Sequence, residues 1–301
     1  MPNLLKPKND VIFKRIFGTE ENKDILTGFL KSVLRLPEDE YDEVLLCDPN
    51  LRYDRIDDKI GILDLKVKTT SGKIIDVEIQ LTLVPQFRKR IMFYASKIFS
   101  EQIDSGEEYK TIKQVIPILI VDDKLFAVGN DDDKYHHRFT LYDPNSQLEF
   151  TDILEVHTLE LPKLPEYTDG SNLWNWLKLL DSEKEEDFNM LAQTSPQMDK
   201  AVTIVKYLSA DEQVRHDYEQ AEKRRRDLMV ITNTAIREGL AKGEAIGEAR
   251  GIAKGEAMGI AKGEAKGRTY AALNLLRMGV DKNTIAQATG LSHEEIQNLE
   301  N

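Results

Sequence analysis

Apolar and polar residues alternate along two short segments in the first third of the chain. These segments are residues 62–68 and 74–81, and the turn-like sequence Thr-Thr-Ser-Gly-Lys joins them. Alternation with a period of two is typical of strands that bury one face, so the pattern predicts a β-hairpin over about residues 60–82. One face would be apolar, and the other would carry the polar side chains of Asp64, Lys66, Asp76, Glu78 and Gln80.

The register of this hairpin decides which charges meet, because directly opposed residues in an antiparallel pair point to the same side. In one register Lys68 pairs with Ile74. Asp64 then lies opposite Glu78, whereas a shift of two residues places it opposite Asp76. Either register leaves two carboxylates with Cβ atoms about 5 Å apart, where like charges repel. A bound cation or a shared proton would relieve the repulsion; the alternative is an ordinary hairpin with a solvated polar face.

Helices and strands are both predicted around the hairpin, which indicates a mixed α/β domain. An apolar stripe from residue 9 to 36, interrupted near Gly18, predicts helical structure. The continuous apolar run 115–121 predicts a strand that is covered on both faces. The remaining elements predicted in this part are a helix at 85–105 and strands around 139–142 and 156–161.

From residue 171 onward the pattern is helical. A basic quartet at 223–226 is a candidate for nucleic-acid contact, although charge runs on long helices are more often solvated. Glycine then recurs every fourth residue from Gly239 to Gly267, with alanine two positions after each of the first seven. Small residues at this spacing let helices approach closely, but each helical glycine costs up to about 1 kcal/mol. The repeat predicts a marginal helix that becomes ordered on self-association, with a flexible linker as the alternative.

Residues 269–301 predict short, capped helices. Ser292 and Glu295 have the spacing of a capping box, and residues 284–292 resemble the turn of a helix-turn-helix. The tail has acidic residues where a recognition helix would need basic ones. A small packing module is therefore favoured over a module that reads DNA.

Composition narrows the class of protein. The 301 residues include one cysteine, Cys47, which excludes an internal disulfide and a thiolate metal cage. The amino-terminal segment lacks the apolar stretch of a signal peptide, and no run approaches a membrane span, so a cytoplasmic protein without a membrane partner is expected. The net charge of −12 argues mildly against nucleic acid. Around the hairpin, however, basic residues outnumber the acidic ones. These basic residues are Lys59, Lys66, Lys68, Lys73, Arg88, Lys89, Arg90 and Lys97.

The polar face of the predicted hairpin resembles the active-site motif of the PD-(D/E)xK nuclease superfamily. Asp64 would be the first acid, and Glu78-Ile79-Gln80 would follow it, with Gln80 where lysine is usual. The chain as a whole is similar to the recombination-promoting nuclease family, often called putative transposases, most securely over residues 7–165. The segments that carry this resemblance are residues 9–18, 63–66, 77–80, 90–97 and 159–163, together with the glycine repeat.

This resemblance implies metal-dependent DNA cleavage on an α/β, restriction-endonuclease-like core, with a mixed central sheet flanked by helices and a helical C-terminal extension. Asp64 and Glu78 would hold Mg²⁺, or alternatively Mn²⁺ or Ca²⁺, with the Ile79 carbonyl as a further ligand. Gln80 would complete the catalytic set with these two acids by orienting the attacking water or a phosphate oxygen. Glutamine lacks the charge of lysine, which Lys66 is a candidate to replace. The other supporting residues are Asp10, Tyr94 and Lys97.

These patterns divide the chain into four expected parts. They are a nuclease-like domain at 1–165, a helical extension at 166–235, the Gly-x-Ala-x repeat at 236–267 and a small helical module at 268–301. The leading hypothesis is a DNA endonuclease that promotes recombination and forms homo-oligomers through its C-terminal helical region. The alternative is a non-catalytic DNA-binding or assembly protein that keeps the nuclease fold.

Overall fold

The computed structural model of the protein describes residues 4–50, 63–82, 86–126 and 133–299. Positions 60–62 of the predicted hairpin and position 85 of the predicted helix lie outside these ranges. The chain divides into two units, Met1–Val230 and Ile231–Asn301.

The first unit is organised around a mixed sheet, which has six strands within the described ranges. In chain order the strands are β1 (Leu45–Cys47), β2 (Leu65–Lys68), β3 (Ile74–Gln80), β4 (Val115–Val121), β5 (His136–Tyr142) and β6 (Glu149–Glu160). Their order across the sheet is β1-β2-β3-β4-β6-β5. β4 is parallel to both of its neighbours, and all other neighbouring strands are antiparallel. The predicted mixed α/β core is confirmed.

The hairpin forms in the first of the two predicted registers. β2 and β3 are antiparallel, with Lys68 opposite Ile74. β2 begins at Leu65, so Asp64 lies just before the strand rather than inside it. The same register nevertheless carries Asp64 to Glu78, because the Asp64 backbone N–H donates a hydrogen bond to Glu78 Oε1 at 3.1 Å.

Helices lie along the chain before, between and after these strands. Those of the first unit are α1 (Asp10–Phe17), α2 (Lys23–Val33), α3 (Phe87–Ser100), α4 (Asn172–Asp181), α5 (Glu185–Ala192) and α6 (Pro196–Ala210), followed by α7 (Glu212–Arg277), which begins there. The predicted interruption at Gly18 separates α1 from α2. α1 starts at Asn9, whose side chain accepts a hydrogen bond from the Val11 backbone N–H at 3.0 Å, as an N-cap does.

The two faces of the sheet are covered differently. The main apolar core joins one face to α1, α2 and the helices α4 to α6, through residues that include Phe13, Phe17, Phe29, Val77, Ile118 and Trp176. α3 packs on the opposite face through Ile91 and Ile98. That face is the polar side of the hairpin, so Asp76 and Glu78 are only 0% and 6% exposed. The alternative of a solvated polar face is therefore wrong.

The second unit contains the later part of α7 together with α8 (Lys282–Thr289) and α9 (His293–Asn298). Ala272, Ile285 and Ile296 form its small apolar core. The predicted capping box is present, since Ser292 and Glu295 exchange both of its hydrogen bonds at the start of α9. The glycine repeat at 236–267 is helical within α7. No helix in the described part of the chain has the length and apolar character needed to cross a membrane.

Candidate active site

A cleft of about 370 Å³ opens at the end of β3, beside the start of α1 and the first part of α7. Its floor comes from the hairpin, one wall from α3 and another from α7. The residues that line it are Asn9, Asp10, Asp64, Glu78, Ile79, Gln80, Leu81, Thr82, Arg90, Tyr94, Ala221, Arg224, Arg225 and Leu228. The cleft therefore combines carboxylates, two side-chain amides, a phenol and three arginines.

Two backbone amides hold the carboxylates of Asp64 and Glu78 in place. Glu78 Oε1 accepts a hydrogen bond from the Asp64 N–H at 3.1 Å, and Asp64 Oδ2 accepts one from the Ile79 N–H at 3.0 Å. This exchange is available because β2 begins only at Leu65, so among the described residues the Ile79 N–H has no partner in β2. The second oxygen of Asp64 lies 2.7 Å from the ammonium of Lys14, on α1.

Glu78 carries a carboxyl group whose acidity is strongly changed by the site. Burial and the nearby charge of Asp64 raise its pKa to about 7. The hydrogen bond from the Asp64 backbone and the charges of Arg90 and Lys14 act in the opposite direction but do not outweigh burial. Near neutral pH the group is therefore poised between its two protonation states, which is common at functional sites.

Asp76 lies beneath the cleft rather than in its lining. It is fully buried, and neither of its carboxyl oxygens has a hydrogen-bond partner in the described structure. Burial raises its pKa well above the ordinary value, and the charges of Glu78 and Asp64 add to the shift, while Lys66 opposes it. The protein therefore holds a third carboxyl group next to the two that face the cleft.

The chemistry of the donors fits a divalent cation. The carboxylates of Asp64 and Glu78 both reach the cleft, and Lys14 already supplies a positive charge to the first of them. In an extended strand the N–H and C=O of one residue point to the same side, so the Ile79 carbonyl faces the Asp64 side as its N–H does. Within the described ranges no three His, Cys, Asp or Glu residues are grouped as a metal site. A small oxygen set that leaves room for water suits Mg²⁺.

Gln80 is fixed by hydrogen bonds at both ends of its amide. Its Oε1 accepts a hydrogen bond from Arg90 Nη2 at 2.6 Å, and its Nε2 donates one to the Thr82 carbonyl at 2.9 Å. The guanidinium of Arg90 also lies over the ring of Phe87, 5.2 Å from its centroid. Arg90, on α3, therefore supplies positive charge beside Gln80, which stands where the family motif usually has lysine.

The other predicted residues fall in two places. Asp10 and Tyr94 line the cleft together with Asp64, Glu78 and the 79–80 segment. Lys66 and Lys97 are outside its lining. The ammonium of Lys66 lies 3.9 Å from Glu101, beside a separate groove at the other end of α3. Lys14 and Arg90 contact the predicted catalytic residues Asp64 and Gln80, whereas the ammonium of Lys66 lies near Glu101.

Sequence reasoning missed several residues of this cleft. Arg90 lay within a segment that carried the family resemblance, but nothing in the pattern paired it with Gln80. Lys14 likewise lay in the resembling segment 9–18. Arg224 and Arg225 belong to the basic quartet, for which the sequence pattern favours a solvated face, yet both line the cleft. The sequence shows the positive charge of this quartet but not where the quartet lies. The packing of α7 is what places Arg224 and Arg225 at the cleft.

A mixed sheet that presents an aspartate and a Glu-x-Gln segment at one end, with helices on both faces, defines a protein of the PD-(D/E)XK nuclease class. The family model described as "PD-(D/E)XK nuclease family transposase" matches residues 7–235, more than half of the chain, and the chain belongs to this family. A second model, "Rpn/YhgA-like nuclease family, C-terminal HTH domain", matches residues 272–301. The family inferred from the sequence is confirmed. Comparison with curated proteins and with solved structures found no match.

The second match bears on the tail of the chain. Residues 272–301 include α8 and α9, and their resemblance to a helix-turn-helix is confirmed. A helix-turn-helix is a DNA-binding motif, and both family descriptions are those of nucleases. The comparisons therefore suggest DNA as a partner of the protein, and the packing role that the acidic residues of the tail favour stays a prediction.

Proposed function

We propose that the protein is a divalent-metal-dependent DNA endonuclease that hydrolyses phosphodiester bonds and thereby promotes recombination. The observation that carries this proposal is the pair of Asp64 and Glu78, whose carboxylates line a cleft and are held there by backbone amides. Two neighbouring carboxylates, one of them buried and the other partly buried, are unfavourable by themselves when both are charged. A bound cation would offset that cost. Because the chain belongs to a nuclease family, we assign this cation to phosphodiester cleavage.

Asp64, Glu78 and the Ile79 carbonyl would hold the cation, with Mg²⁺ as the first choice and Mn²⁺ or Ca²⁺ as alternatives. When bound, such an ion lowers the pKa of a water molecule and offsets the negative charge of the phosphoryl group. Asp10 lines the same cleft and would accept hydrogen bonds from ion-bound water. Lys14 contacts Asp64 and would add positive charge on the α1 side.

Gln80 would orient the reacting groups rather than neutralise them. One N–H of its amide donates to the Thr82 carbonyl, and the second is left to donate to a water or a phosphate oxygen. Arg90 holds the carbonyl end of this amide and keeps a permanent charge close to it. The pair Gln80–Arg90 would in this way divide the two tasks of the usual lysine, direction and charge.

The second candidate function is a non-catalytic DNA-binding or assembly protein that retains the fold. The observation that favours it is the absence of lysine at position 80, because an amide cannot stabilise the charge that develops in the transition state as an ammonium does. This candidate shares the cleft, the family and the DNA partner, and differs only in whether a phosphodiester bond is broken.

Plasmid nicking separates the two. Supercoiled DNA is incubated with wild type, Asp64→Ala and Glu78→Ala in Mg²⁺, Mn²⁺, Ca²⁺ or EDTA, with Glu186→Ala as a matched control, since Glu186 is an exposed acid on α5 away from the cleft. We expect nicking by wild type and the control in Mg²⁺ or Mn²⁺, and none by the two cleft variants. Nicking that survives both cleft substitutions would reject the site. DNA binding without nicking in any metal would favour the second candidate.

We further propose that the chain forms homo-oligomers through its C-terminal helical region. Exposed apolar side chains recur along the repeat part of α7, at Ile236, Leu240, Ile246, Ile252, Met258 and Ile260. Such side chains on a helix are typical of a surface that gains from a partner. The test is the mass in solution, by light scattering, of the full chain and of a variant lacking residues 236–301. An unchanged number of subunits would contradict the proposal.

A further inference from the structure

The first part of α7 is fixed to the rim of the cleft by named contacts. Val214 and Ala221 are buried, at 2% and 8% exposure. The Asn9 side-chain amide donates a hydrogen bond to Glu222 Oε1 at 2.9 Å, which ties α7 to the N-cap of α1. Arg15 of α1 forms a further ion pair with Asp217, at 3.2 Å. The side chains that follow Glu222 on this helix are therefore presented to the cleft from a fixed backbone.

Three arginines line the described part of the cleft, and two of them have a partner. Arg90 donates to Gln80 at 2.6 Å, and Arg225 lies 2.8 Å from the carboxylate of Glu222. Arg224 is exposed, and among the described residues its guanidinium has no hydrogen bond or ion pair. It nevertheless shares a cleft with the carboxylates of Asp64 and Glu78.

A guanidinium without a partner shares this cleft with two acids, and once those acids hold a cation, the cation and the guanidinium could bind one anion between them. The planar guanidinium binds a phosphate through two parallel hydrogen bonds. The floor would hold a metal ion under the proposed function, and a phosphodiester can contact a metal with one oxygen and an arginine with the other. The neighbouring Arg226 is also exposed, but it does not line the cleft.

We infer that Arg224 binds the phosphate backbone of the DNA strand that enters the cleft, so that α7 forms part of the substrate site; this inference rests on the proposed DNA-cleaving function. Arg225 would support it by holding Glu222, and through it the Asn9 contact that fixes α7. Arg224 is a binding residue in this scheme, because it contacts the substrate and not the reacting bond.

The test compares Arg224→Ala with Arg226→Ala, which change two exposed arginines on the same helix. Affinity for a short fluorescent DNA duplex is measured in Ca²⁺ over a series of salt concentrations. We expect about tenfold weaker binding for Arg224→Ala, and a salt slope reduced by about 0.9, the value for one lost phosphate contact. Arg226→Ala should match wild type in both. Arg224→Lys should restore the salt slope and only part of the affinity, because lysine keeps the charge and loses the bidentate geometry.

Cleavage in Mg²⁺ gives a second readout. A residue that binds substrate should raise KM with little change in kcat, whereas a disturbed metal site would lower kcat. Equal effects of Arg224→Ala and Arg226→Ala on the salt slope, or no effect of either, would overturn the inference even where wild type cleaves DNA. If wild type binds but never cleaves, a reduced slope confined to Arg224→Ala would keep the inference while the endonuclease proposal fails.

Discussion

Buried carboxylates lie at two places on the same sheet, and their surroundings differ. On β6, Glu155 is hydrogen-bonded to His157 and to Arg138, each at 2.7 Å. Burial by itself would raise the pKa of Glu155, but these hydrogen bonds outweigh it and lower that pKa to about 2. His157 in turn is hydrogen-bonded to His136 at 2.8 Å. Each polar group of this network has a partner, so its charge supports the fold.

The group at the end of β3 is the opposite case. Glu78 has its pKa raised to about 7, and the oxygens of Asp76 have no partner in the described structure. These acids cost stability in the folded protein without a bound cation. Burial alone therefore does not mark a functional site, since Glu155 is buried as Asp76 and Glu78 are. The distinguishing feature is a set of buried acids left partly unsatisfied, which a ligand can complete.

The largest expected effect comes from Glu78→Gln, which tests whether the unsatisfied group serves activity at the expense of stability. The amide has no charge to hold a cation, so we expect DNA cleavage to fall by at least about 10²-fold to 10³-fold. In EDTA the same change should raise the melting temperature, because it removes a buried charge beside Asp64. Plasmid cleavage and thermal unfolding measure the two effects. Retained cleavage together with a lower melting temperature would show that Glu78 supports the fold rather than the activity.

The pH dependence of stability should differ between wild type and Glu78→Gln. The pKa of Glu78 is raised from 4.5 to about 7, so the folded protein holds this proton more tightly than the unfolded chain. The resulting stability is complete below pH 4.5 and is lost as the pH rises through about 7. In EDTA, wild type should therefore lose on the order of 3 kcal/mol between about pH 5 and 8 relative to the variant.

Chemical denaturation at several pH values measures this difference. Addition of Mg²⁺ should reduce it, because a ligand that binds only the folded state stabilises that state. Parallel stability curves for the two proteins across this range, with and without Mg²⁺, would show that Glu78 titrates normally in the folded protein and would remove the contrast with Glu155.

Glu155→Gln tests the hydrogen-bonded network on β6. We expect a smaller effect than in Glu78→Gln and of the opposite kind, a loss of stability without a loss of cleavage. The lowered pKa means that the stability from Glu155 is present above pH 4.5 and is lost as the pH falls towards about 2. At neutral pH the variant should be destabilised by about 1–2 kcal/mol, a moderate figure because Arg138 is half exposed and the pair is screened. Cleavage should be unchanged.

Asp152→Asn is the matched control for this change, because it removes an exposed acid from the same strand. It should leave the free energy of unfolding close to that of wild type. A loss of cleavage in Glu155→Gln, with the folded state intact at the assay temperature, would give the β6 network a part in activity that its satisfied contacts do not suggest.

The hairpin was predictable from the sequence because its information is local. A period of two fixes which side chains share a face, and the parity of the pairing limits the registers to a few. The sequence left two registers open, and the structure selects the one that joins Asp64 to Glu78. The helical interruption at Gly18 and the capping box at Ser292 were predictable for the same reason, since each depends on a few neighbouring residues.

The rest of the site depends on contacts between distant parts of the chain. α3 converts a polar hairpin face into a buried one, and nothing in the alternation of residues 74–81 reveals that cover. Lys14 reaches Asp64 from α1, and Arg224 reaches the cleft from α7. Such contacts are set by how helices pack on the sheet. Pattern alone therefore favoured Lys66, which shares the strand face but lies beside Glu101.

The smallest expected effect comes from Asp76→Asn, which asks whether the acid beneath the cleft belongs to the metal site or only adds to its cost. The substitution removes an ionisable group next to Glu78 but leaves an amide without partners, so the free energy of unfolding in EDTA should rise by only about 1 kcal/mol. Asp76 does not line the cleft, so cleavage in Mg²⁺ should stay near that of wild type. A loss of cleavage as large as that in Glu78→Gln would instead indicate that Asp76 is a third metal ligand. Asp64, Asp76 and Glu78 would then belong to one metal site.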